Sequence, residues 1–131
     1  MIVKIDTKEK FSVITPVDHE IPANLTEELK NKLEVYLGAT VPHVVLNLQH
    51  VQEISPEAAT LISAIQQQFY DRNASFVVCG LQQNAENVFD KLDLLELMNT
   101  TPTESEAWDI VQMEEVEREL MGDFGEETNA S

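Results

Sequence analysis

A chain of 131 residues, 43% hydrophobic and 24% charged, is long enough for one domain with a real core. Its net charge of −16 argues against nucleic acid or anionic lipid as direct partners, since both need basic patches. The single cysteine, Cys79, excludes an intramolecular disulfide and a cysteine metal cluster. The charge is uneven: residues 104–131 hold ten acids against one base, Arg118, a net of −9, while residues 1–103 carry −7. The opening MIVKIDTKEK lacks a signal peptide's apolar core, and no apolar run approaches the roughly 18 residues of a membrane span. A cytoplasmic protein without membrane insertion is expected, so the sequons at Asn24, Asn73, Asn99 and Asn129 read as chance.

MIVKID and FSVITPV are short runs rich in β-branched residues, separated by the polar TKEK, which predicts a hairpin. Pro16 places the end of the second strand at an edge or outside the sheet. In NLTEELKNKLEVYL, Leu25, Leu29, Leu33 and Tyr36 or Leu37 recur at helical spacing. Asn24 and Glu27 have capping-box spacing, and Gly38 is a stop. HVVLNLQHV reads as a buried parallel strand. The next helix puts Ala58, Leu61, Ile62, Ile65 and Phe69 on one face, and Gln66, Gln67 and Asp71 on the other. SFVVCGL is a second buried strand. NAENVFDKL is a short helix with Ala85, Val88, Phe89 and Leu92 inward. LELMNTT holds a last short strand, and TESEAWDIVQMEEVEREL a helix opened by a Thr103–Glu106 capping box. The order β-β-α-β-α-β-α-β-α predicts an α/β fold with helices covering a largely parallel sheet.

No GxGxxG or GxxxxGK[ST] phosphate loop is present. His19, His43 and His50 lack metal-ligand spacing, so no metal or cofactor is expected. Cys79 reads as an inert buried thiol, since no base or cation adjoins it in sequence. Trp108 reads as packing on its own domain, with a partner anchor as the alternative, and the acidic run Glu114–Glu119 as a solvated helix face, with an interaction role as the alternative. No paired acid and base or activated nucleophile is visible, which argues against an enzyme. Ser55, Pro56 and Glu57 form a well-made helix start: an N-cap, a first-turn proline and an anion at the positive end of the helix dipole.

Four stretches together resemble the STAS domain, the family of bacterial anti-sigma-factor antagonists and of the cytoplasmic domains of sulphate transporters. They are LTEELKNKLEVYL, HVVLNLQHVQEIS, SFVVCGLQQNAENVFDKLDLLELM and TPTESEAW, and the resemblance covers about residues 2–112. It implies a four- to five-stranded mixed sheet with helices packed mainly on one face. Residues 113–131 would form an acidic helical extension, running to about Met121, and a flexible tail.

In the antagonists, the resemblance implies, the second Ser of an Asp-Ser-Ser-Gly motif is phosphorylated by a kinase that doubles as the anti-sigma factor. Here the Asp falls on Ser55, the first Ser on Pro56, the phosphorylated Ser on Glu57 and the Gly on Ala58, so the motif is degenerate. An acidic residue of the preceding loop falls near Pro22. Glu57 has no hydroxyl to modify; it supplies about one negative charge where a phosphoserine supplies about 1.5 to 2. Ser55 remains a possible target.

The resemblance points to a non-catalytic regulatory domain that binds a protein through Ser55, Pro56, Glu57 and Ala58, together with the loop residues Asp18, His19, Glu20 and Asn24. The implied partner is an anti-sigma factor or serine kinase; the alternative is the ATPase subunit of a lipid-type transporter. Val116 and Leu120, on an extension with little domain left to cover them, are expected to pack on a partner or on a second copy as a homodimer.

Overall fold

The computed structural model describes the backbone of residues 1–130 and the side chains of residues 1–121. Its elements in chain order are β1 (Val3–Thr7), β2 (Ser12–Pro16), β3 (Glu20–Ile21), α1 (Thr26–Glu34), β4 (Val44–Asn47), β5 (Glu53–Ile54), α2 (Pro56–Asp71), β6 (Phe76–Cys79), α3 (Gln83–Lys91), β7 (Thr100–Thr101) and α4 (Glu104–Ala130). The main sheet has the order β1-β2-β4-β6-β7, with β1 antiparallel to β2 and the other pairs parallel. The predicted hairpin is present, closed by Lys8 N–H donating to Phe11 O at 2.8 Å. Pairing between β2 and β4 stops at Ile14 opposite Leu46, two residues short of Pro16, which has no N–H to give.

Period-2 alternation divides the central strands between two cores. Ile14, Val44, Leu46, Phe76 and Val78 join Leu29 and Leu33 of α1, Ile62, Ile65 and Phe69 of α2, and Ala85 and Phe89 of α3. Val13, Val45, Val77 and Cys79 join Ala107 and Val111 of α4. Three helices therefore cover one face and α4 alone covers the other.

Several local expectations change. A 3-10 turn over Ala23–Leu25 precedes α1, Leu25 takes the N-cap position, and no side chain caps the helix. The Asn24–Glu27 capping box does not form, because Asn24 lies inside the 3-10 turn, whose N-cap is Pro22, and so does not occupy the N-cap of α1. Gln66, assigned to the outer face of α2, is buried. Its Nε2 donates to Phe76 O at 2.6 Å and Asn99 O at 3.2 Å, and its Oε1 accepts from Asn99 N–H at 3.1 Å. It stitches the approach of β7 to the neighbouring strand, a place where buried backbone groups need partners. Leu92 lies one residue past α3 and is exposed, not inward. At α4 the expected cap holds, with Glu106 N–H donating to Thr103 Oγ1 at 3.2 Å.

The largest departure lies in the acidic run. Glu114 is half-buried, not solvated: Tyr70 Oη donates to its carboxylate at 2.8 Å, Ser75 Oγ at 2.7 Å and Asn99 Nδ2 at 3.3 Å. Arg118, one turn on, donates from Nη2 to Ser75 Oγ at 2.9 Å. Its Nη1 lies 3.5 Å from Glu115 Oε2, which in turn lies 2.7 Å from His43 Nε2. α4 is continuous across the 112/113 division and onward past Met121, where the sequence reading ended it. The side chains of the expected flexible tail lie outside the described residues.

His43 Nδ1 accepts from Ser75 N–H at 3.0 Å, so its ring proton sits on Nε2, facing Glu115. Burial pulls the His43 pKa below the ordinary 6.5; Glu115 opposes this, Arg118 adds to it, and Glu114 opposes it. The unfolded chain thus takes up a proton that the folded chain resists. Stability owed to neutral His43 is full above about pH 6.5 and is lost as the pH falls below it. Between about pH 8 and about pH 5.5 the wild-type Tm should fall more steeply than that of His43→Gln; equal slopes contradict this. Glu114→Ala strands two hydroxyls and an amide and should cost about 2–3 kcal/mol in urea unfolding. Exposed Glu117→Ala should stay within about 0.5 kcal/mol, and equal losses would deny the cluster its role.

Candidate functional site

The turn between β5 and α2 is built as its residues dictate. Ser55 is extended at φ −71° and ψ 153°, and its Oγ accepts from Ala58 N–H at 3.0 Å. Pro56 occupies the first helical position, where a missing N–H costs nothing. Glu57 lies in the first turn of α2 and is exposed. Ala58 is fully buried in the larger core, so it supports the turn from beneath and offers no side chain to a partner.

The loop singled out in the sequence lies directly against this turn. β3 and β5 form a two-stranded parallel ladder, with Glu20 opposite Glu53 and Ile21 opposite Ile54. Ile21 O accepts from Ser55 N–H at 2.9 Å, and His19 O accepts from Gln52 N–H at 2.7 Å. Ile21 and Ile54 are buried and anchor the ladder in the core, while His19, Glu20, Asn24 and Glu53 are exposed. Asp18 is half-buried, and its Oδ2 accepts from Ile2 N–H at 3.3 Å. His19 Nδ1 lies 3.2 Å from His50 O. Two segments more than thirty residues apart are thus joined by backbone hydrogen bonds, with Glu20, Glu53 and Glu57 exposed on them.

Sequence reasoning missed this ladder, because two-residue strands carry no periodicity. The only signal was the matched pair of short motifs, Glu-Ile at 20–21 and Glu-Ile at 53–54. It also missed Tyr70, Ser75 and Asn99, polar residues from three segments that come together around Glu114 only after folding. The i, i+4 spacing of Glu114 and Arg118 was the one legible hint.

Burial pushes the Cys79 thiol up to about 12, with Glu104 adding to the rise, which suits an inert thiol. Burial, with the Glu114 carboxylate beside it, likewise raises the Tyr70 phenol and keeps it a proton donor. Among the described residues, no group of three or more His, Cys, Asp or Glu is placed to hold a metal ion. No helix among them is long and apolar enough to cross a membrane.

The fold is similar to that of an anti-sigma-factor antagonist (STAS) domain protein from Planctomyces limnophilus. The two are 14% identical with a TM-score of 0.73, over 84% of this chain and 97% of that one. The phosphorylated form of the Bacillus cell fate determinant SpoIIAA is 16% identical with a TM-score of 0.62, over 84% of this chain and 99% of that one. A murine solute carrier 26 anion transporter is 11% identical with a TM-score of 0.66, over 79% of this chain but only 18% of that one. At these identities the likeness is one of fold. A family model, that of the STAS domain, matches residues 3–107, most of the chain. The chain belongs to the STAS domain family.

Proposed function

We propose that the chain is a non-catalytic regulatory binding domain that docks a protein partner through the joined surface of the 18–24 loop and the 55–57 turn. The observation that carries this is the β3–β5 ladder, which turns the two segments into one surface. The partner class favoured is an anti-sigma factor or serine kinase in the cytoplasm. Supporting this are the STAS family match and the likeness to stand-alone antagonists over nearly their whole lengths. The transporter is matched over a small part of its chain, so the accessory-subunit reading gains nothing from it.

On this reading the switch differs from that of a phosphorylated antagonist. The modifiable position is Glu57, and the only nearby hydroxyl in the motif, Ser55, is committed to capping α2. Glu57 then acts as a fixed recognition charge, present in every molecule. A Glu supplies one charge and two acceptor oxygens, so the partner must offer a cation or paired donors at that point.

The test is capture of the partner from the organism's own cytoplasm on the immobilised chain, followed by affinity measurement with Glu57→Lys. Charge reversal at the centre of the surface should weaken binding by about tenfold or more. Exposed Glu57 makes no contact the fold needs, so the variant should melt within a few degrees of wild type. Unchanged affinity would show that the partner docks elsewhere.

A further inference from the structure

The middle of α4, over residues 113–120, has its polarity turned inside out. Helical geometry at 3.6 residues per turn places Ala107, Val111, Glu114 and Arg118 on the face toward the sheet. Ala107 and Val111 are buried there, and Glu114 and Arg118 are tied to Ser75. Met113, Val116 and Leu120 fall on the opposite side at i, i+3 and i+7, and are 56%, 54% and 62% exposed. A surface helix ordinarily buries such a stripe and solvates its charges. Here the polar cluster holds the helix in the rotation that presents the apolar stripe to the outside.

We propose that this stripe is a docking site for a cationic amphipathic helix of a protein partner. A stripe of this spacing is a ridge suited to the groove of another helix. The occupant's charge follows from the flanks. Asp109 and Glu117 border the stripe and are exposed, no base stands on that side of the described helix, and around the cavity that Val116 lines Lys10 is outnumbered by Glu9, Glu115 and Glu119. Arg118, the single base of residues 104–131, is turned inward to Ser75. A second copy of this chain would bring acid against acid, whereas lysines and arginines beside the partner's apolar residues would pair with the flanks. The surface is separate from the 55–57 turn. It lies on the other face of the sheet, near Ser75 and His43 where β6 and β4 begin, while Ser55 follows β5, on the chain that leaves the far end of β4. It stands whether or not the turn binds a partner.

The test uses the full chain and a fluorescein-labelled peptide of Leu and Lys patterned as an amphipathic helix, with a scramble of the same composition as control. Fluorescence anisotropy should show the patterned peptide binding wild type about tenfold or more tighter than the Val116→Glu/Leu120→Glu variant. That variant adds negative charge, so its loss of affinity isolates the apolar stripe. The milder Val116→Ser/Leu120→Ser pair should lose affinity in the same direction, and circular dichroism should report both variants folded. The scramble should bind all three proteins weakly, and added salt should weaken the patterned peptide's binding. Equal binding of the patterned peptide to wild type and both variants, or binding indifferent to salt, overturns the proposal. Sedimentation showing a wild-type dimer that Val116→Glu/Leu120→Glu splits, with no peptide binding, overturns it in favour of a second copy.

Discussion

The carboxylate of Glu114, held by Tyr70, Ser75 and Asn99, fixes the rotation of α4 about its own axis. Turning the helix half a revolution would cover Met113, Val116 and Leu120, each worth about 1.5–3 kcal/mol if fully buried. It would also expose Ala107 and Val111 and break several charge-assisted bonds worth about 1.5–3 kcal/mol each. The two sides are of similar size. The observed rotation prevails because the sheet face beneath offers Ser75 and His43 at one end and Val45, Val77 and Cys79 at the other. A uniformly apolar helix would satisfy only one of these ends. The same cluster joins the end of α2, the start of β6 and the approach to β7, so both helical layers share it.

The five strands of the main sheet, the four helices and their order were legible from the sequence because their patterns are local. HVVLNLQHV and SFVVCGL read as buried parallel strands, whose paired parts are Val44–Asn47 and Phe76–Cys79, and Ser55-Pro56-Glu57 reads as a helix cap. What could not be read depends on residues that meet only after folding. Gln66 looks like a surface glutamine until Asn99 arrives beside it. Glu114 stands in a run of acids that any local rule assigns to solvent. Asn24 has good capping chemistry, yet it lies inside the 3-10 turn whose N-cap is Pro22. The candidate site was legible as two separate segments. The ladder that joins them was not, since each of its strands is two residues long.

The molecule carries two surfaces of different character. The 18–24 loop and the 55–57 turn are polar, acidic and backed by a hydrogen-bonded ladder anchored by Ile21 and Ile54, so a partner docking there, as proposed, would be recognised by charge and donor geometry. The outward face of α4 is apolar along its centre and acidic at its flanks, so burial would carry its affinity and charge its choice of partner. They lie on opposite faces of the sheet and share no side chain, which leaves each free to be occupied without the other.

On the function proposed above, Glu57 is a fixed charge at the position where a phosphorylated antagonist carries its modified serine. The most direct test is the intact mass of the chain purified from its own cells in the presence of phosphatase inhibitors, with fragmentation across residues 51–63. The account predicts one unphosphorylated species. A phosphorylated species carrying the modification on Ser55 would contradict it, because the cap that positions α2 would then itself be the switch.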